Sequence, residues 1–552
     1  MIRDLARKFA LQNALLHEGA AQVKAVVGKV LAAEPDLRPR AQEVARTVVE
    51  VVEEVNGLDP EAQRTLLEGV APELLVRRHE ARPAGLPDLP GVSDGVVMRL
   101  APYPSGPLHI GNARMVLLND AYVKRYGGRL LLVHDDTIGS ETKLPLAEAY
   151  GQVEEGLRWL GVEVHEVLYK SDRLPLFYDW GRRLLEVGGA YVCLCAAGEL
   201  RANREAGRAC AHRAAETEES LTHWEAMLGG ELAPGEAVVR LKTDMRHPNP
   251  AFRDRVLFRI SDRPHPRVGT RYRVWPLLEF SWAVDDHLLG VSHVLRGKDL
   301  MMEDWMERAI WDYFGVEGPA FVHYGLLRVK EAELSKSRQR QLIEAGELTG
   351  VDDPRTWSLQ SLARRGIQAE TLRRFIQGFG LSLTDIEVPA ETLYTENRRR
   401  IDPLANRYFL VPDPVAVRVE GLPEPREAHI PLHPDFPERG TRTLRGAEEV
   451  YVPARDLEAH RGKEVRLKDW CNVRFNKQAT FRSWKVKAIP KIQWLPAGIP
   501  ATVLMPDASG VEGLAEEAVG DLDPGTLLQF ERFGFVRLED VGPLVQAVYA
   551  HR

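Results

Sequence analysis

The sequence predicts a multidomain protein: a helical N-terminal extension, an α/β core carrying an insertion, a helical connector and an all-β C-terminal region. Three observations carry this prediction. Apolar residues recur at helical spacing ahead of a Pro/Gly-rich stretch at 81–95. A buried strand, a Pro/Gly loop, a helix and a second buried strand follow one another over 96–137. Beyond Asp402 the helical pattern gives way to short alternating runs rich in Val and Pro. A chain of 552 residues is too long for one domain and fits three or four.

Composition narrows the class. With 44% hydrophobic and 28% charged residues, the chain has the make-up of an ordinary globular protein. No stretch approaches the roughly 18 to 20 apolar residues of a membrane helix, so no membrane partner is expected. The first residues, MIRDLARKFALQNALLHEGA, read as an amphipathic helix containing acids rather than a signal peptide, which makes a cytoplasmic location the expectation. A net charge of −7 rules out a uniformly basic nucleic-acid binder but leaves room for local basic faces.

Taken in order, the extension and its linker span 1–94. Val23, Val26, Val27, Val30 and Leu31 mark one helix, with Pro35 beyond it, and a second periodic run from Ala41 to Val55 stops at Asn56-Gly57. The first half of the core, 95–190, opens with VVMRL (96–100) as a buried strand. The loop APYPSGP then leads into a helix from about His109 to Tyr126 that Gly127-Gly128 ends, and RLLLVHDDT (129–137) is the second strand. Such a βαβ unit binds nucleotides at the carboxyl ends of its strands. Residues 191–275 have mixed character and read as an insertion. The α/β pattern resumes over 276–330, the connector covers 331–401, and the β region, expected to form barrels, covers 402–552.

Two short pieces carry the chemistry. His109 and Gly111 fall at the start of a helix, where unpaired N–H groups and the positive dipole end suit a triphosphate. Gly111 allows close backbone approach, and His109 and Asn112 can donate to phosphate oxygens. A helix cap with an incidental histidine is the alternative. About 220 residues on, Glu333-Leu-Ser-Lys-Ser337 places Lys336 between Ser335 and Ser337, where a mobile loop can stabilise leaving pyrophosphate. Each piece is weak alone, but in this order and spacing they reinforce one another.

Two further clusters stand out. Cys193, Cys195, Cys210 and His212 bring three of the four cysteines together with an imidazole, a set that suits tetrahedral zinc in a structural role. Buried apolar cysteines beside an unrelated histidine are the alternative. The stretch 466–491 interleaves cations (Arg474, Lys477, Arg482 and Lys485 among them) with Trp470, Phe475, Phe481 and Trp484, as a face binding phosphates and splayed bases would. The alternative is a β-barrel with aromatics turned inward and solvated lysines. Arg398, Arg399 and Arg400 form a second basic cluster.

The segment APYPSGPLHIGNAR resembles the HIGH signature of class I aminoacyl-tRNA synthetases, and ELSKS resembles their KMSKS. The finer resemblance is to the archaeal glutamyl-tRNA synthetases, near relatives of the glutaminyl enzymes. It extends through GTRYRVWPLLEFSWAVDDHLLGVSHVLRGKD (269–299), NRRRIDPLANRYF (397–409) and ALQNALLHEGAAQVKAVVGKVL (10–31). It implies a Rossmann-type catalytic domain, an inserted acceptor-stem-binding domain carrying zinc, and anticodon-binding barrels. It also implies ligation of L-glutamate to tRNA(Glu), with tRNA(Gln) a second candidate acceptor, through a glutamyl-adenylate made from ATP with Mg2+.

Residue by residue, the resemblance implies ATP binding by His109, Gly111, Asn112, Ser335 and Lys336, with His109, Asn112 and Lys336 catalytic. Arg99, Ala101, Tyr103, Asp135 and Leu278 would bind the amino acid, Asp135 holding its ammonium. Asp136 completes the acidic pair with Asp135, and Asp285, Asp286 and Arg296 fit structural roles at least as well. The chain departs from the family pattern at Tyr103, Asn112, Val133, His134, Ile138, Gly139, Leu278 and Leu326, several of them around the amino-acid pocket. A paralogue using another amino acid, a glutaminyl-tRNA synthetase and a non-catalytic tRNA-binding protein are the alternatives.

Overall fold

The computed structural model describes residues 2–552 apart from 18, 35–36, 38–39, 72–73, 75–84, 140–143, 333–334 and 425. Pro35, the first linker residues 81–84, and Glu333 and Leu334 of the lysine loop therefore lie outside the described residues. Residues up to Ala84 form one compact unit, and Gly85–Arg552 form a second.

The first unit packs four helices, α1 (Ile2–Leu16), α2 (Val23–Ala33), α3 (Ala41–Asn56) and α4 (Pro60–Val70). Val44, Val48, Val51, Val52 and Val55 line one side of α3, and Ala6, Ala10 and Ala14 of α1 are small enough for close approach to that stripe. Asp59 starts α4 by accepting from Glu61 N at 3.0 Å and Ala62 N at 2.8 Å, with Pro60 in the first turn. Buried Gln63 donates to the carbonyls of Gly19, Val55 and Leu58, which ties two loops to α4.

The second unit is organised by a parallel sheet of β1 (Val96–Leu100), β2 (Gly128–His134), β3 (Glu166–Tyr169), β8 (His293–Gly297) and β9 (Ala320–Tyr324), ordered β3-β2-β1-β8-β9. Helices α5 (Ile110–Tyr126), α6 (Ala147–Trp159) and α7 (Leu174–Glu186) belong to its first half. The order reverses between β1 and β8, which opens a crevice at the strand carboxyl ends. Gly128 is obligatory at the start of β2: its φ is +131°, and a Cβ there would sit 1.9 Å from Val96 O. The second strand ends earlier than expected, at His134. Asp135 already leaves the ladder, its N–H donating to Pro102 O at 3.1 Å, so Asp135–Thr137 line the crevice as loop.

Between α7 and the second half of the sheet lies an antiparallel sheet of β4 (Ala190–Cys193), β5 (Val238–Leu241), β6 (Val256–Ile260) and β7 (Val274–Pro276), with α8 (Ala197–Ala206) and α9 (Thr217–Gly229). Trp224, Phe258 and Phe280 pack the buried core that this sheet shares with α10 (Leu278–Leu288) and α11 (Met301–Phe314). After β10 (Leu327–Val329) come α12 (Lys336–Glu344), α13 (Leu359–Arg364) and α14 (Ala369–Gln377), then β11 (Ile386–Val388) and α15 (Ala390–Ile401). The connector is thus largely helical, and it also holds one short strand. β11 pairs in parallel with β10, Leu327 opposite Ile386, and gives a strand edge a partner that helical periodicity could not reveal.

The C-terminal region is all-β apart from short helical turns, with a seven-stranded and a six-stranded barrel-like sheet. Alternation sets the register. In Pro414–Glu420 the buried residues are Val417 and Val419, facing a core with Val450, Val452 and Trp494.

Candidate active site

The loop after β1 and the first turn of α5 build one side of the crevice. His109 is the N-cap of α5, and its Nδ1 accepts from Gly111 N at 3.1 Å and Asn112 N at 3.4 Å. Asn112 returns the bond, its Oδ1 accepting from His109 N at 3.2 Å. This reciprocal cap fixes the imidazole tautomer, because an accepting Nδ1 leaves the proton on Nε2. Burial, reinforced by nearby Lys336, holds the His109 pKa down to about 3, so the ring is a neutral donor.

One expectation is corrected here. The helix N-terminus does not offer free N–H groups, since Gly111 and Asn112 cap on His109 and Ile110 N donates to Trp357 O at 3.2 Å. His109 and Asn112 both line a cavity of about 320 Å³ with Gly111, Leu326 and Arg328. Gly111 is required for a local reason as well: a Cβ would meet the folded-back His109 ring at 3.0 Å.

Lys336 closes this side. It opens α12 behind the N-cap Ser335, whose hydroxyl accepts from Arg338 N at 3.4 Å. Its Nζ donates to Gly106 O at 3.2 Å, bridging to the loop that carries His109. Burial lowers its pKa to about 8.

A larger cavity, about 750 Å³, is lined by Ala101, Tyr103, Asp135, Leu278 and Lys336, and Leu300 lines both cavities. Asp135 ion-pairs with buried Lys170 at 3.1 Å, and Lys170 also donates to Ser281 Oγ at 2.7 Å. Asp136 is turned away, accepting from Ser171 N, Ser171 Oγ and Tyr150 Oη. Arg99 lines neither cavity. Its guanidinium is bidentate on Asp286, at 2.5 and 2.8 Å, under the ring of Trp282. Trp282 also covers Lys170 and Arg296, and Arg296 is held by Asp304 at 2.6 Å and Glu307 at 2.8 Å. Asp285 pairs with Arg173, and burial pushes its carboxyl up to about 6. His134 is buried against Tyr169, outside the cavity lining.

Sequence reasoning missed Lys170, Trp282, and the Arg255 and Glu303 that cluster with Glu279, the neighbour of Leu278. Arg255 ion-pairs with Glu279 and, at 3.0 Å, with Glu303, and burial pushes the Glu279 carboxyl up to about 7. Lys170 had a signal, because it directly follows β3 at the carboxyl end of a core strand. Arg255 had none, since it reaches the cavity from β5–β6, far from the rest in sequence.

Cys193, Cys195, Cys210 and His212 converge, their ligand atoms all within 4.8 Å of one another. Cys193 Sγ lies 3.8 Å from Cys210 Sγ, and Cys195 Sγ lies 3.5 Å from His212 Nδ1. Two thiolates at about 2.3 Å from a tetrahedral zinc stand about 3.8 Å apart, so the donor set fits the ion.

In the β region the basic stretch divides. Arg474, Lys477, Arg482 and Lys485 are exposed on and beside the hairpin of Asn472–Phe475 and Ala479–Ser483, and among the described residues they form no ion pair. Lys468 is taken by Glu531 and Lys487 by Glu464. Trp470 and Phe475 belong to the barrel core, Trp470 stacking on Trp494 at 4.3 Å, so they are corrected from base-stacking candidates to core residues. Phe481 and Trp484 remain half-exposed. In the other basic cluster, Arg398 and Arg399 are paired with Glu391 and Glu396.

Comparison with known proteins matches residues 95–403 to the family model "tRNA synthetases class I (E and Q), catalytic domain". Residues 405–488 and 491–539 match two models of anti-codon binding domains from the same class. The chain is 44% identical to a glutamate–tRNA ligase of Pyrococcus abyssi, with all of both chains covered. It is 42% identical to that of Methanothrix thermoacetophila and 44% identical to that of Methanoculleus marisnigri, covering all of this chain and 99% of each relative.

Proposed function

The chain belongs to the class I tRNA synthetases for glutamate and glutamine, and from that membership we infer that it is a glutamate–tRNA ligase, joining L-glutamate to tRNA at the expense of ATP. The glutamate carboxylate attacks the α-phosphate of Mg-ATP, giving glutamyl-adenylate and pyrophosphate, and the terminal ribose hydroxyl of tRNA then takes the acyl group. No covalent enzyme nucleophile is needed, so catalysis rests on positioning and charge stabilisation.

One observation carries the assignment of roles. Lys336 lines the larger cavity with Asp135 and bridges to Gly106, in the loop that carries the neutral His109 cap of the smaller one. On this reading His109 Nε2 and the Asn112 amide hold phosphate oxygens, and Lys336 neutralises the pyrophosphate as it leaves, with Gly111 and Ser335 shaping the turns that carry them. Asp135 takes the substrate ammonium in exchange with Lys170. Ala101, Tyr103 and Leu278 shape the space around the side chain, and Arg99 acts from behind Trp282. Residues 191–275 receive the acceptor end, held by a structural zinc on Cys193, Cys195, Cys210 and His212. Arg474, Lys477, Arg482 and Lys485 meet the anticodon arm. tRNA(Gln) is a further acceptor to test, and the site of action is the cytoplasm.

The test is ATP–pyrophosphate exchange with each of the twenty amino acids, with and without total tRNA. Exchange restricted to glutamate supports the reading. Exchange with another amino acid transfers the function to a specialised paralogue, which the apolar Leu278 and the Trp282 cover over Arg99 would then explain.

A further inference from the structure

Between α12 and α13 the chain makes a rigid turn that touches both halves of the nucleotide site. The Asp353 carboxylate accepts from Thr349 N, Arg355 N and the Arg355 guanidinium. The Thr356 and Ser358 hydroxyls both donate to Val351 O. At the tip stands Trp357, with φ at +56°. A bulky L residue rarely adopts this left-handed conformation, and surrounding structure must hold it there.

On one side of this tip, Gln339 of α12 donates through Nε2 to Thr356 O at 2.6 Å, three residues after Lys336 on the same helix. On the other side, Trp357 O accepts from Ile110 N at 3.2 Å and Leu359 N donates to Leu108 O at 2.8 Å, a pair of backbone bonds that sets Ser358 opposite His109. The Trp357 ring is buried, stacked on Tyr394 at 6.3 Å with the Arg365 guanidinium over it at 5.6 Å. Arg365 in turn donates to Tyr394 Oη and to Ala550 O, both at 2.9 Å.

We propose that Trp357 is a positioning residue for adenylate formation, its left-handed turn locking the Lys336 helix and the His109 cap in one register. The inference rests on the assignment of His109 and Lys336 to ATP. Lys336 reaches the His109 loop through the Gly106 carbonyl, and its helix and the His109 cap are also both fixed to the Thr356–Ser358 segment, so that segment helps set the distance between the phosphate donors and the cation. Displacements of about an ångström at such a site slow reactions steeply.

The test compares wild type with Gln339→Met, which cuts the tether while keeping side-chain volume, and with Trp357→Gly and Trp357→Phe. Glycine accepts the positive φ but deletes the ring, whereas phenylalanine keeps an aromatic in the stack. ATP–pyrophosphate exchange gives KM for ATP and for glutamate, direct titration gives ATP affinity, and filter binding gives the tRNA Kd. The expected result is a KM for ATP raised about tenfold by Gln339→Met and by Trp357→Gly, near-normal behaviour of Trp357→Phe, and unchanged glutamate and tRNA constants. An unchanged KM for ATP in Gln339→Met overturns the proposal, as does a parallel loss for all three substrates. Wild type without exchange would instead overturn the proposed function. Direct ATP titration of the same four proteins would still decide whether the turn positions the nucleotide groups.

Discussion

The two sides of the crevice treat charge in opposite ways. On the amino-acid side the buried charges already have protein partners: Arg99 has Asp286, Lys170 has Asp135, and Asp285 has Arg173. On the nucleotide side His109 is uncharged and Lys336 is held by a single carbonyl, Gly106 O, although Arg296 with its two acids also lines that cavity. The first arrangement is a lattice in which each charge is desolvated at high cost and repaid only by its neighbour. The second keeps its donors available for a ligand that brings its own charge. Substitutions on the amino-acid side should therefore register first in stability, and those on the nucleotide side first in rate.

The largest effect expected from this contrast is at Asp286. Asp286→Ala leaves the Arg99 guanidinium buried under Trp282 with no bidentate partner, a change that costs about 3–5 kcal/mol when one member of a buried pair is removed. Denaturant unfolding of the full chain reads it as a fall in transition midpoint at constant slope. A loss below about 1 kcal/mol would mean that Arg99 finds another partner in the pocket, and the contrast would blur.

Lys336→Ala comes next and should leave the midpoint in place. Removing one preorganised donor to developing negative charge typically slows the step by about 10²–10³-fold, or roughly 2.7–4 kcal/mol in the barrier. Single-turnover adenylate formation measures it. A stability loss comparable to that of Asp286→Ala would show that the Gly106 contact is structural rather than held in reserve for ATP.

What the sequence disclosed follows the same divide. The nucleotide side is built from residues within a few positions of one another, His109 to Asn112 and Ser335 to Lys336, so a local pattern reveals both the residues and the helix starts that present them. The Cys193–His212 cluster was legible for the same reason, and so were the parallel-sheet core and the alternating strands of the β region. The amino-acid side depends on pairings across the fold: Arg99 with Asp286 spans 187 residues and Lys170 with Ser281 spans 111. Hydrophobic period and motif spacing carry no information about such pairs. That is why Lys170, Trp282 and Arg255 were missed and why the pairing of Arg99 with Asp286 could not be read. Unpaired helix N–H groups were expected for a related reason: the sequence places His109 at the cap but does not say that its ring folds back onto the first turn.

A third effect concerns the metal-ligand cluster. Zinc that binds the folded Cys193, Cys195, Cys210 and His212 set stabilises the protein by about 2.7 kcal/mol when free metal is 100-fold above its Kd. Stripping the ion with a strong chelator should lower the melting temperature and restoring zinc should recover it, with one zinc per chain by elemental analysis. Cys210→Ser should abolish that stoichiometry. Failure of the chelator to change either quantity would return the four residues to apolar packing.

pH offers a finer separation within the nucleotide side. His109 titrates near 3 and stays neutral throughout pH 5 to 8, so it contributes no limb to the activity profile in that range. Burial lowers Lys336 to about 8. Its cation is therefore present below that pH and lost as pH rises through it, and in ATP-free enzyme the activity should decline on the alkaline side. The profile of kcat/KM for ATP is the relevant one, because bound phosphate favours the charged lysine and shifts its loss upward. Lys336→Arg should flatten the alkaline limb, since guanidinium keeps its charge; an unaltered limb would assign it to another group.

The smallest expected effects lie on the β region, where the same question of paired and unpaired cations can be asked of a surface. Arg474, Lys477, Arg482 and Lys485 are exposed and, among the described residues, without acidic partners, whereas Lys468 and Lys487 of the same stretch are engaged by Glu531 and Glu464. A cation that meets a phosphate releases a counterion, so neutralising any one of the four should reduce the slope of log affinity for tRNA against log salt by about 1, with little change in stability. Lys487→Ala should leave that slope unchanged, because in free protein its charge is already compensated. If both classes of substitution flatten the slope equally, the acidic partners must let go on binding, and pairing in the free protein would then be a poor guide to which cations the tRNA uses.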